Sequence, residues 1–173
     1  MECRLNSQHL DNEHSPVTLG WREWVRLKDL NLPDVRAKVD SGAKTSCLHA
    51  FEVTPFDKNG EPWVRFKIHP RKTMPELEKT CEARIHDRRI IKDSGGHRQK
   101  RYVIKTPMYI GSWHQDIELT LTARDNMNFV MLLGRQALAG SYMVDSASSF
   151  LLGRPETYDA DPRQQQKPYF IGL

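Results

Sequence analysis

Apolar and polar residues alternate with a period of two at several places in the middle of the chain. Val35, Ala37 and Val39 alternate with Arg36 and Lys38; Val64, Phe66 and Ile68 alternate with Arg65 and Lys67; Ile117, Leu119 and Leu121 alternate with Glu118, Thr120 and Thr122. Successive side chains of a strand point to opposite faces, so each run predicts a strand with one buried face. Phe129 to Leu133 is apolar throughout and predicts a short strand covered on both faces. Helical spacing is confined to Arg135–Ala139, one or two turns at most. Turn residues separate the runs at Asn59-Gly60, Ser94-Gly95-Gly96 and Gly111-Ser112. The pattern predicts an all-β domain with one short helix near its end.

The two ends differ from the middle. Residues 1–17 show no sustained period. Of residues 154–173, the stretch 154–167 holds two prolines and a Gln run without an apolar face, ahead of a closing Tyr169, Phe170 and Ile171 able to dock. They predict an N-terminal tail and a C-terminal tail around one domain at 18–153, within the 173 residues of the chain. No run of 18 apolar residues predicts a membrane helix, and residues 1–20 lack the apolar segment of a secretory signal. Three cysteines, Cys3, Cys47 and Cys81, are too few and odd in number for a disulfide framework. The expected setting is therefore the reducing cytoplasm.

Charge adds a local feature to this picture. The net charge is +4, yet Arg84–Lys105 alone holds eight Lys or Arg against two Asp, a net +6. A basic run of this kind is commonly a solvated face, and otherwise attracts acidic partners. Tyr102 is the one aromatic residue within it, so base stacking is poorly served and an acidic peptide fits better than nucleic acid.

The chemistry gathers at Val35–Ala43, where a strand runs directly into Asp40-Ser41-Gly42-Ala43. A carboxylate at a strand end, followed by a small hydroxyl residue and glycine, suits a tight loop whose amides face it. Ninety-four residues after Asp40 stands Gly134, within Val130-Met-Leu-Leu-Gly134-Arg135-Gln-Ala-Leu138. Between them, Arg89 to Ile104 reads as a hairpin with Ser94-Gly95-Gly96 at its tip. In this order the three elements resemble the retropepsin-like aspartic proteases. Ala37–Ser46, Leu48-His49-Ala50, Ile117–Thr122 and Met131–Arg135 are similar to a bacterial and archaeal branch of that family. Its members carry two labels, retropepsin-like aspartic endopeptidase and ATP-dependent zinc protease.

The resemblance implies a closed β-barrel of the acid-protease type, with a flap hairpin and one short helix. It implies catalysis by Asp40, Ser41 and Gly42, and substrate contacts from Ala43, Lys44, Thr45, Arg89, Gly95, Gly96, Arg101 and Arg135. One branch member type is similar to a protease that works beside a glutamate ligase and trims glutamate tails from a small-subunit ribosomal protein. The implied partners are thus a second copy of the chain, a glutamate-rich or glutamate-tailed substrate, and a glutamate ligase.

The residues themselves choose between the two labels. No His-Glu-x-x-His motif is found among the seven histidines, and there is no Gly-x4-Gly-Lys-Ser/Thr for ATP. The expectation is an aspartic peptidase without metal or other cofactor. A non-catalytic peptide-binding module of the same fold and a zinc peptidase are the alternatives. An aspartyl site needs two carboxylates sharing one proton. Of the two Asp-Ser-Gly triplets, Asp93-Ser94-Gly95 falls at the hairpin tip and only Asp40-Ser41-Gly42 closes an apolar strand, so the second catalytic carboxylate is expected from a two-fold homodimer. Val144-Asp145-Ser146-Ala147 is a near echo without the glycine, and Asp145 is expected to be structural.

One departure from the viral relatives stands out. Where they have an aspartate two residues after the triplet glycine, paired with the arginine of Gly-Arg, this chain has Lys44. Two readings stay open. Another acid, Glu118 or Asp125, compensates Lys44 and Arg135, or the two cations wait in the cleft for a substrate carboxylate.

Overall fold

The computed structural model describes residues 16–71, 74–92, 95–123 and 128–154. The two tails read from the sequence lie outside these, apart from Pro16, Val17 and Arg154. The expected all-β character holds. Twelve strands follow one another: β1 Val17–Gly20, β2 Arg22–Val25, β3 Val35–Asp40, β4 Ser46–His49, β5 Phe51–Lys58, β6 Glu61–Ile68, β7 Lys79–Arg84, β8 Asp87–Lys92, β9 Arg98–Ile110, β10 Trp113–Thr122, β11 Met131–Gly134 and β12 Tyr142–Asp145. A single α-helix, α1 Arg135–Leu138, follows β11, and a short 3-10 turn at Lys28–Leu30 follows β2.

Seven strands form the main sheet in the order β2-β3-β11-β4-β10-β9-β8. The β5-β6-β7 meander forms a second sheet, and β1 pairs with β12 in parallel as a third. The closed barrel expected from the resemblance is corrected here: β2 and β8 remain the two edges of the seven-stranded sheet. One isolated bridge, Arg26 with Tyr109, joins the chain just after β2 to β9. The sheet stays open because β9 is long and splits its duties. Its residues from Val103 onward pair with β10, while Arg98 to Val103 pair with β8 and carry the hairpin beyond β10. Arg88, Arg89 and Lys92 on β8 are the charges that natural edge strands use against further pairing.

The alternating runs bury the faces they predicted. Val35 and Ala37 of β3, Val64, Phe66 and Ile68 of β6, and Ile117, Leu119 and Leu121 of β10 belong to one core cluster. That cluster spans the main sheet and the meander, with Leu27, Leu30, Cys81, Ala83 and Met108 between them. Burial pushes the Cys81 thiol up to about 11, so it remains an uncharged core side chain. Phe129 and Val130 precede β11 rather than opening it; Phe129 meets Trp21 edge-on, and the Val130 carbonyl accepts the His49 amide. Asn59 and Gly60 both have positive φ, the conformation a two-residue hairpin between β5 and β6 requires.

The site is positioned by strand order. β3 and β4 flank the Asp40 loop in sequence, yet they do not pair with each other. β11 lies between them, parallel to β3 and antiparallel to β4. The loop therefore arches across the end of β11, where Gly134 stands opposite Asp40 in register.

Candidate active site

Asp40 ends β3, half-buried, and its chain turns at once. The Ala43 amide donates to the Asp40 carbonyl at 3.2 Å, closing the turn. The amides of Gly42 and Ala43 donate to the Asp40 carboxylate oxygen Oδ1 at 3.1 and 3.2 Å. Oδ2 is left for other work. This is the amide-lined carboxylate the sequence predicted.

A second set of bonds fixes the loop from below. The amides of Arg135 and Gln136, the first of α1, donate to the Ala43 and Lys44 carbonyls at 2.9 and 3.0 Å. The Arg135 guanidinium donates to the carbonyls of Ser41 at 2.9 Å and Gly42 at 3.0 Å. Thr45 donates its hydroxyl proton to the Gln136 side chain at 3.0 Å, and the Gly134 amide donates to Ser46 Oγ at 3.1 Å. A Cβ on Gly134 would lie 2.6 Å from the Thr45 carbonyl carbon and 2.9 Å from the Ser46 nitrogen. Glycine is required there by close approach of two backbones, not by φ.

A cavity of about 1040 Å³ opens over this loop. Asp40, Gly42, Ala43, Lys44 and Thr45 line it on one side, and Arg89, Ile90, Ile91 and Lys92 of the hairpin on another. The β9 and β10 residues Arg101, Glu118 and Thr120 complete the wall with Arg135 and Gln136. Ile90 is 68% exposed, an apolar side chain held open at the cavity. Ser41 is exposed beside the loop, and Gly95 and Gly96 sit at the hairpin turn, where Gly96 has φ +85. Neither glycine lines the cavity; Asp93 and Ser94 lie outside the described residues.

The open question over Arg135 resolves into a partner that neither reading named: two main-chain carbonyls of the loop. Glu118 does not compensate it. Its carboxylate takes two bonds from the Arg89 guanidinium, at 2.5 and 3.0 Å, with His86 Nε2 at 3.3 Å. Arg89 also donates to Asp87 at 2.5 Å. The Arg89 charge holds both the Glu118 and Asp87 carboxyls below the usual carboxylate range, helped at Asp87 by the Arg88 amide. Asp125 lies outside the described residues.

Sequence reasoning missed Glu118 as the anchor of the hairpin arm, because its partner stands 29 residues away and β10 reads as a plain alternating strand. It also passed over Glu23, fully buried, which accepts the Gly20 and Leu151 amides at 2.7 and 2.9 Å. A glutamate directly ahead of the apolar pair Trp24 and Val25 in a four-residue strand was the signal. Asp145 caps its own turn through the Ser148 hydroxyl and the Ala147 amide, and stands outside the cavity. Among the described residues, no group of three or more His, Cys, Asp or Glu side chains is placed to hold a metal ion.

An Asp-Ser-Gly loop spanning an inserted strand that ends in Gly-Arg, with a hairpin beside it, defines the retropepsin-like class. The family described as RimB-like, retropepsin-like aspartic endopeptidase RimB, matches residues 18–155, and the chain belongs to it. A solved structure of Lpg0085, a protein of unknown function from Legionella pneumophila, superposes with a TM-score of 0.67 at 32% identity. The match covers 80% of this chain and 99% of that one. Two curated relatives are named probable alpha-L-glutamate ligase. The protein from Shewanella halifaxensis is 42% identical over 83% of this chain and 31% of its own length. That from Shewanella pealeana is 44% identical over 78% and 30%. The chain thus spans about a third of the curated relatives it matches.

Proposed function

We propose that this chain is a cytoplasmic aspartic endopeptidase, active as a homodimer on glutamate-rich or glutamate-tailed protein. The observation that carries the reading is Asp40 itself: one carboxylate oxygen is held by loop amides while the other side faces a cation-rich cavity. In the dimer two Asp40 carboxylates would share one proton about a water, since like charges ~3 Å apart cannot both ionise. The ionised one takes a proton from the attacking water, and the protonated one polarises the peptide carbonyl. Ser41 and Gly42 shape the loop; Ala43, Lys44, Thr45, Arg89 and Arg101 border the substrate, with Arg135 beneath, while Gly95 and Gly96 at the hairpin turn, outside the cavity, would meet it only if the hairpin moved inward. Support for a dimer comes from β12, which among the described residues pairs with β1 alone and leaves Met143 and Val144 54% and 42% exposed.

The ligase names of the relatives favour one second reading, a non-catalytic module that holds an acidic peptide for a glutamate ligase. Incubating the protein with a glutamate-tailed peptide, with and without a strong chelator, beside Asp40→Asn, separates the readings. Chelator-resistant cleavage that Asp40→Asn reduces at least a thousandfold is the expected result. Cleavage that survives the substitution sinks the aspartyl reading. Binding without cleavage under every condition favours the module, and cleavage abolished by chelator a zinc peptidase.

A further inference from the structure

Five cationic side chains line the cavity, Lys44, Arg89, Lys92, Arg101 and Arg135, against two carboxylates, Asp40 and Glu118. They are not equivalent. Arg135 is spent on the loop carbonyls of Ser41 and Gly42. Arg89 is forked onto Glu118 and also bonds Asp87. Arg101 is 8% exposed, and its Nε donates to the Gln99 side chain at 2.9 Å. Lys44 and Lys92 are exposed and line the same cavity, and their ammonium groups make no hydrogen bond or ion pair with any described residue.

We propose that Lys44 and Lys92 are the specificity-determining cations of the cleft, each receiving a side-chain carboxylate of an acidic peptide. The inference rests on the acidic-substrate reading above and names which charges carry it. A substrate carboxylate arriving at Arg89 must displace Glu118 from a two-bond fork and leave that acid uncompensated, so the exchange gains little. At a lysine whose ammonium has no partner among the described residues, the same carboxylate displaces no acid of theirs. Lys44 stands on the Asp40 loop and Lys92 near the end of the first hairpin arm, two different walls of one cavity. An extended peptide sends successive side chains to opposite faces. Neighbouring glutamates would then reach the two lysines by turns, and the flexible ammonium stems would follow the chain as it shifts. A run of glutamates is favoured over an isolated one.

The test uses the full chain carrying Asp40→Asn, so that binding is measured without turnover. Hexaglutamate and hexaglutamine are titrated at low and at high salt, and a thermal melt reports folding. The unaltered binding face should prefer hexaglutamate, with the preference fading at high salt. Lys44→Gln and Lys92→Gln should each weaken hexaglutamate binding roughly three- to tenfold, between the range of an exposed ion pair and that of a charge-assisted hydrogen bond. Lys79→Gln, on β7 and away from the cavity, should leave it unchanged. If the double lysine variant keeps the parental preference, or if Lys79→Gln weakens binding as much, the assignment is overturned. If Asp40→Asn alone already binds both hexapeptides equally, the acidic-substrate reading falls instead, before the lysines are tested.

Discussion

At the scale of residues, the site divides its charges between holding the structure and meeting a ligand. Glu118 shows the first role clearly. Arg89 depresses its carboxyl, so its contribution to stability is complete above the unfolded value near ~4.3 and is lost as pH falls through the lower folded value. Glu118 is about a quarter exposed, which limits the pair to about 1 kcal/mol. Glu118→Gln should therefore lower Tm near neutral pH by about 2–4 °C. The gap to the parent should narrow as pH falls below the unfolded carboxylate range, giving the parent the steeper acid limb in a melting series. A gap that stayed constant down the whole acid limb would show that packing, not the ion pair, carries the effect. Asp40 and its glycine were legible in the sequence because an amide-lined carboxylate needs a short local motif. Arg135 was visible as a residue, but its role was not, since main-chain carbonyls leave no trace in residue types.

Among the elements, β11 governs the site. Its apolar run announced a strand, and its Gly-Arg end announced a family; the wedge between β3 and β4 emerges only from pairing. The open sheet was hidden for a similar reason. Period-two alternation says which face is buried, and says nothing of whether the last strand finds the first. Gly134→Ala would drive a methyl to within 2.6 Å of the Thr45 backbone, where nothing flexible can yield. The expected cost is about 1–3 kcal/mol in a denaturant melt, the range of an overpacked core. Peptidase activity should fall further than stability does, because the loop that carries Asp40 is what must move. Equal losses in both would mean that the loop tolerates the shift.

For the molecule as a whole, one strand-end Asp-Ser-Gly per chain, at Asp40, would make activity a property of pairs under the proposed aspartyl mechanism. Mixing the parent with an equal amount of Asp40→Asn and allowing subunits to exchange should leave about half the rate per parent subunit, as random pairing dictates. A rate per parent subunit that stays constant would mean one chain suffices. The strand-end motif at Asp40 was readable in the sequence; the exposure of β12 was not, because Met143 and Val144 look like any strand interior until β1 is found to be its one strand neighbour among the described residues.

The arch over β11 also sets a timetable for the growing chain. Asp40 leaves the ribosome long before Gly134, and the contacts that shape its loop reach across about 90 residues. A nascent chain halted before β11 has the carboxylate but no brace beneath it, and long-range closure of this kind comes late in folding. If Asp40 is catalytic as proposed, the unfinished protein is thus denied a formed site while it is surrounded by other new polypeptides. Only the insertion of the eleventh strand completes it.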